Sequence, residues 1–528
     1  MFDVVIKNGQ VIDGTGNPWF NADIGIENGK IECISRYVDP GRAKRIINAD
    51  GLTVSPGFID AHCHDDLYLL KYPSGKGKVL QGVTTLINGN CGFTAAPVLS
   101  QENKRILRGV IAILGSHHIE ENQWDWLSFG DYLRKLEELK LGINVATLVG
   151  HATVRIAVLG MEQRAPTNDE LERMKKLVGE SMEEGAYGMS TGLKYTPAAY
   201  AATDEIIELA KVVAKYNGIY ASHIRSESNS LLPAIAEAIK IGEESGCPVH
   251  ISHFKVSGKK NWGKSSQSLR MLEDAMERGI ETTCDQYPYT AGSTSLAALL
   301  PLAIQAGGPE LFCEKLKDTD IRKKVVKELE EQQDQRQNWE NIVISYSINH
   351  PNYHGKSIME ISAMKGKSPH EVMFDLIVAD EAQTVIITFM AGEEDIKRIM
   401  SGSLTMVGSD GIPDFGDGKI HPRFYGTFPR VLGKYVREEK VLTLPEAIKK
   451  MTSLPAQTFG LQTKGVLRSG LDADIVIFDP RKIIDKATYD DPIQPPEGIH
   501  YVIVNGEVTV QNGELTGAAA GRVLKYRK

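Results

Sequence analysis

Eight short apolar runs recur through the middle of this chain, and amphipathic helical stretches separate them. The runs are GFIDAHCH (57–64), GVTTLINGN (82–90), INVATLVGH (143–151), AYGMSTG (186–192), GIYASHI (218–224), PVHISHF (248–254), ETTCDQYPY (281–289) and LTMVGSDG (404–411). Between them lie stretches such as TNDELERMKKLVGESMEEG (167–185) and LPAIAEAIKIGEESG (232–246). This alternation is the grammar of a parallel sheet wound with helices. Eight such units over about 400 residues predict a (β/α)8 TIM-like barrel with insertions. A doubly wound open sheet alternates in the same way, but its Gly-rich phosphate loop is missing here. Nearly every run carries a polar or reactive residue at or next to its end, which is where barrel enzymes gather their chemistry.

The two ends of the chain have a different grammar. Residues 2–12 and 23–35 read as short strands with turns at Asn8-Gly9 and Asn28-Gly29, and DADIVIFDP (472–480) and HYVIVNGEVTVQNGEL (500–515) repeat the pattern. We expect one small β-sandwich domain built from 1–56 and 462–528, the alternative being two independent β extensions. The barrel then spans 57–461. More than 110 residues separate runs seven and eight, including the charged helical stretch IRKKVVKELEEQQDQRQNWE (321–340). Residues 290–400 therefore read as an inserted subdomain before the last strand, either a lid beside the mouth or an excursion without a catalytic part.

Composition narrows the class. The chain has 528 residues, 42% hydrophobic and 24% charged, with a formal net charge of -8. That argues for a globular enzyme and against electrostatic binding to nucleic acid or anionic membrane. The N-terminus lacks a secretory pattern, and no window approaches the ~18 apolar residues of a membrane span. Six scattered cysteines do not form a disulfide framework, so a cytoplasmic location is expected and a special cysteine is a metal ligand or a buried thiol.

The strand ends supply the candidate chemistry. His62 and His64 lie two apart, so both imidazoles point to one face and Cys63 to the other. Cys91 sits in NGNCGF between glycines that bend the chain towards the mouth, and its thiolate is a zinc ligand or a bridge between two ions. His223, His253 and Asp410 close runs five, six and eight; His250 is out of phase with His253 and reads as structural. Zinc chemistry wants this set, because the ion acidifies water and polarises a carbonyl while a carboxylate moves the proton. Asp410 is the candidate for that shuttle.

These strings resemble the D-aminoacylase (N-acyl-D-amino-acid deacylase) family of the metal-dependent amidohydrolase superfamily. The resemblance runs through DVVIKNGQVIDGTG, PGFIDAHCHDD, NGNCG, GHATVR, STGLKYTPAAY, ASHIRSE, ISHFK, DQYPYTAGST, VGSDG, HPRFYGTFPRVLG and GLDADIVIFDP. It implies hydrolysis of N-acyl-D-amino acids, with one tight zinc held by Cys91, His223 and His253. A second, weaker or empty position would involve His62, His64 and Asp410, and Cys91 would take the bridging place. Cys63 stands where relatives commonly carry Thr. The resemblance also implies that Arg423, Lys255, Tyr195, Tyr287 and Ser293 contact a small-molecule N-acyl amino acid; an Arg fork suits its α-carboxylate. D-specificity comes from the resemblance alone, and side-chain preference, acyl group and oligomeric state stay open. His151 is an open candidate for the pocket lining.

Two other readings compete. A cyclic-amide hydrolase, dihydropyrimidinase-like or dihydroorotase-like, would use Lys194 as a carbamylated bridge, which the NGNCG cysteine argues against. A non-catalytic scaffold on the same barrel would be expected to lose metal ligands, and this chain keeps all six positions.

Overall fold

The computed structural model describes residues 1–331, 338–416 and 418–526. Each of the eight runs forms a barrel strand: β1 (Phe58–Asp60), β2 (Val83–Asn88), β3 (Asn144–Thr147, continued by Val149–Gly150), β4 (Gly188–Gly192), β5 (Ile219–His223), β6 (Val249–Ile251), β7 (Thr282–Gln286) and β8 (Thr405–Val407). Neighbours pair in parallel and in chain order from β1 to β8. The ring closes between β8 and β1. There the Ala61 N–H donates to the Val407 carbonyl at 3.4 Å, the Asp410 N–H donates to the His62 carbonyl at 2.7 Å, and Cys63 forms a parallel bridge with Gly411. Every residue of β2, β4 and β5 is buried. Burial on both faces is why these strands read as continuous apolar and small-residue runs without alternation.

The intervening helices bury one stripe against this ring. Asn168–Glu184 opens with a Thr167/Glu170 capping box and buries Met174, Leu177, Val178, Ser181 and Met182. Leu231–Ser245 buries Leu231, Ala234, Ile235, Ala238 and Ile239, then stops at Gly246, whose φ of 71° lets the chain turn off the helix.

Both chain ends meet in one nine-stranded sheet. Its order is Glu514–Leu515, Glu507–Gln511, Ile499–Val504, Ile475–Phe478, Thr53–Pro56, Phe2–Val11, Phe20–Glu27 and Lys30–Ser35, with Ala43–Asn48 beside Phe2–Val11. The antiparallel junction of Ile475–Phe478 with Thr53–Pro56 joins the two ends, so they are not independent extensions. At the hairpin after Val504, Asn505 and Gly506 have φ of 48° and 86°, the doubly positive pair that a tight two-residue turn requires. Ile6, Ile24, Ile26, Val54, Ile475 and Ile503 pack into a shared apolar cluster.

Between β7 and β8 lies a three-stranded antiparallel sheet, with Val385–Phe389 paired to both Ala291–Ser295 and Ile342–Tyr346. Its own apolar cluster includes Leu299, Phe312, Ile344, Phe374 and Ile377. The charged stretch is helical over Thr319–Glu331, and 332–337 lie outside the described residues. Among the described residues no helix is long and apolar enough to cross a membrane.

Candidate active site and metal centre

All six sequence-predicted ligand residues arrive at one end of the barrel. His223 is the last residue of β5, whereas β1 stops at Asp60 and β6 at Ile251, so His62, His64 and His253 follow their strands. Cys91, His253 and Asp410 have φ of 53°, 37° and 49°. Non-glycine residues held there cost on the order of 1–3 kcal/mol each, and such strain collects at functional sites. Cys63 turns away, its thiol donating to Asn88 Oδ1 at 2.9 Å.

Cys91 Sγ is the hub. It lies 3.4 Å from His62 Nε2, 3.6 Å from His223 Nδ1 and 3.4 Å from His253 Nε2. Zinc–sulfur and zinc–nitrogen bonds of ~2.3 and ~2.0 Å at a tetrahedral angle put S and N about 3.5 Å apart, so these separations fit one ion. Asp410 Oδ1 stands 3.5 Å from His62 Nε2 and 3.3 Å from His64 Nε2. Ligand atoms of His62, Cys91, His253 and Asp410 all lie within 4.8 Å of one another, and those of His223, Glu227 and His253 form a second such group. His64 Nδ1 and His223 Nε2 are buried without a hydrogen-bond partner among the described residues. Imidazoles, a thiolate and a carboxylate converging in a buried cluster are a donor set that suits zinc.

The electrostatics agree. Burial pushes the Cys91 thiol up, yet His62 and His253 beside it, helped by hydrogen bonds from His223 and His253, carry it well below its ordinary value. It is therefore a thiolate, the form that binds metal. Burial, with the His253 charge, lowers His223 to about 4, so it is a neutral imidazole. Asp410 is penalised by burial but held well below the carboxylate range by Arg423, then by His253 and His64.

The site opens into a cavity of about 540 Å³, lined in part by His64, Cys91, His223, His253 and Asp410. Tyr195, Lys255, Tyr287 and Ser293 line it too, and the segment after β7 contributes Leu299, Phe312, Ile342, Phe389 and Met390. That segment is thus part of the cavity wall. Tyr195 OH pairs with Thr294 Oγ1 at 3.1 Å, and its ring lies 4.8 Å from that of His223. Arg423 is 1% exposed and packs against two lining residues: its guanidinium is 4.6 Å from the Tyr287 ring, and Nη1 is 2.8 Å from Asp410 Oδ2. His151 is not a lining residue: it is fully buried and pairs with Glu205 at 2.9 Å, beside the Arg155–Glu205 ion pair. Lys194 lines the cavity, but the atom central to the imidazoles is Cys91 Sγ.

Residues 45–510 match the amidohydrolase family. D-aminoacylase of Alcaligenes xylosoxydans xylosoxydans is 38% identical over 523 residues, 99% of this chain and 97% of that protein. The chain belongs to the D-aminoacylase family of amidohydrolases. Its fold superposes on a solved D-aminoacylase with a TM-score of 0.85, at 37% identity over 100% of both chains; that protein is described as having a binuclear metal centre with one-metal activation and second-metal attenuation. N-acyl-D-glutamate deacylase from Bordetella bronchiseptica, solved with zinc and a phosphonate mimic of the tetrahedral intermediate, gives a TM-score of 0.85 at 35% identity over 99% of this chain and 100% of that one.

Sequence reasoning missed three groups that hold this amidohydrolase site in place. Asp285, at the end of β7, accepts from His250 Nε2 at 2.8 Å and from the His253 N–H at 3.0 Å, and its Oδ2 is 3.3 Å from His62 Nδ1. One carboxylate thereby orients two candidate ligands and uses the out-of-phase His250 as its brace. Glu227, in the loop after β5, accepts from Lys255 Nζ and lies 2.9 Å from His253 Nδ1. Lys78 donates to Asp60 Oδ2 at 2.9 Å, and Asp60 Oδ1 accepts the Ser409 N–H at 2.7 Å, which ties the end of β1 to the end of β8. The available signal was the strand-end position of Asp285 in DQYPY; Glu227 and Lys78 had none, because their partners come from distant elements.

Proposed function

We propose that this amidohydrolase hydrolyses the amide bond of N-acyl-D-amino acids, releasing a carboxylic acid and a D-amino acid. The observation that carries the proposal is the Cys91 thiolate placed between three imidazoles at the floor of the cavity. The kinship supports it: the relatives so named are deacylases of linear N-acyl-D-amino acids. Cys91, His223 and His253 would hold the tight zinc, and His62, His64 and Asp410 a second, weaker position. The chemistry zinc supplies when bound is the acidification of water to a pKa of ~7 and the polarisation of a carbonyl.

The chain's own residues do the rest. Asp410 takes the proton of the attacking water and returns it to the leaving nitrogen, since an amine leaves poorly unless protonated. Arg423, Lys255 and Tyr195 hold the α-carboxylate, with Tyr287 and Ser293 beside them. The substrate carboxylate replaces Asp410 as the partner of Arg423, which frees Asp410 to face the reacting amide. Arg423 Nε, without a protein partner among the described residues, offers a further donor. The nine-stranded sheet of both chain ends is read as the small β-sandwich domain (1–56 and 462–528), and 290–400 as the inserted subdomain of the barrel (57–461). Six unpaired thiols support a reducing, cytoplasmic setting.

Amine release from a panel of N-acetyl-D- and N-acetyl-L-amino acids tests the proposal. Turnover confined to D-substrates supports it, and turnover of cyclic amides alone overturns it.

A further inference from the structure

Most of the groups proposed to hold the amino-acid half of the substrate come from one side of the barrel, Tyr195 after β4 being the exception. Lys255 follows β6, Tyr287 follows β7, and Arg423 follows β8. Across the ring, four strands from β6, the segment after β2 sends a different set into the same cavity: Phe93, Val110, Ile111, Ile113 and Leu114. None of these side chains can form a hydrogen bond, so this wall discriminates by shape and hydrocarbon contact alone. Val110 and Ile113 are only half-buried, which leaves apolar surface facing the cavity.

The wall begins beside the metal ligands. Phe93 is two residues from Cys91, and its ring is 6.0 Å from Tyr195, which itself packs against His223. The segment after β7 meets the far end, where Arg105 pairs with Glu310 and Phe312, two residues on, lines the cavity. The volume agrees: about 540 Å³ lies within the ~300–1,000 Å³ of sites for drug-sized ligands, whereas an N-acetylated amino acid has only about a dozen non-hydrogen atoms. When an amide carbonyl sits at the ligand cluster with its carboxylate towards β6–β8, the acyl substituent projects the opposite way, onto this wall.

We propose that Phe93, Val110, Ile111, Ile113 and Leu114 form an acyl subsite, and that the preferred substrates carry a medium-length hydrocarbon acyl group, not acetyl. This inference rests on the deacylase reading above. It is tested with one D-amino acid, D-leucine, carrying acetyl, butanoyl, hexanoyl or octanoyl groups, by measuring kcat/KM on the metal-loaded enzyme. Each buried methylene is expected to raise kcat/KM about three- to fourfold until the wall is covered, with hexanoyl at least tenfold above acetyl. Ile113→Asn and, separately, Val110→Asn should each cut the hexanoyl-to-acetyl ratio at least fivefold. A flat or falling series with acetyl hydrolysed overturns the acyl subsite alone, and so does a rising series that neither variant changes. No hydrolysis of any member, nor of the same series built on D-aspartate or D-glutamate, overturns the deacylase reading and the subsite with it. The unsubstituted enzyme's own series decides the matter if a variant fails to fold.

Discussion

Replacing Glu227 by Gln is expected to weaken the metal centre and to leave a buried cation unpaired. Glu227 and Lys255 have side chains only 8% and 7% exposed, and the same carboxylate lies 2.9 Å from His253 Nδ1. Burial alone would raise this carboxyl, but Lys255 and His253 hold it well below its ordinary value, so the carboxyl is ionised. Removing one member of a buried pair costs about 3–5 kcal/mol, chiefly because the survivor is left without compensation. Removing both members at constant volume is close to neutral. The carboxylate also fixes the imidazole that would present Nε2 to the ion, and losing such a partner costs about 10–100-fold in metal affinity. Urea unfolding of metal-stripped Glu227→Gln should therefore show a clearly lowered midpoint, and the Glu227→Gln/Lys255→Met double variant should recover most of it. Competition for zinc with a chelator should show the affinity loss in both variants. A single variant with the midpoint and zinc affinity of the unsubstituted protein would refute this reasoning, as would a double variant no more stable than the single.

The remaining expectations are simpler. Asp410→Asn should lower kcat by about 10²–10⁴-fold with zinc content retained; near-normal turnover would remove Asp410 from the proton transfer. Cys91→Ala should lose the metal, measured by elemental analysis after gel filtration, and a variant that keeps a full equivalent contradicts the thiolate hub. Acid should act on the sheet formed by the chain ends. Burial opposes it, yet Lys464, then Lys30 and Thr463, hold Asp472 at about 2, below its ordinary 3.8. A folded value below the unfolded one stabilises above pH ~4, and that stability is lost as pH falls towards ~2. After discounting for its partial exposure this is about 1 kcal/mol, so the stability gap between the unsubstituted protein and Asp472→Asn should close between pH 4 and 2. A gap independent of pH in that range would disprove the assignment.

The barrel was legible because strands covered on both faces become apolar runs, and because His223 and Asp410 end such runs at or just past the strand. His62 and His64 were found by their two-residue spacing, although the strand itself stops at Asp60 and the loop carries them. What the sequence hid is non-local. Glu227 matters only because the chain brings it to Lys255 and His253, and Lys78 only because it spans Asp60 and Ser409. His151 looked like a mouth residue by its position after run three, but the helix it begins turns it onto Glu205. The segment between β7 and β8 could be divided into elements from its pattern. Its place in the cavity wall depended on antiparallel pairings of Val385–Phe389 across about 90 residues, which local periodicity does not encode.

The central claim is that metal held at Cys91 drives the cleavage of N-acyl-D-amino acids. Its most direct test is a titration of chelator-stripped enzyme with zinc, in which D-amino acid release and bound zinc are measured on the same samples. Activity that is absent without metal and rises with the first equivalent, on D- but not L-substrates, is the predicted result. Full activity in metal-free enzyme, or zinc-loaded enzyme that cleaves no N-acyl-D-amino acid, would contradict it.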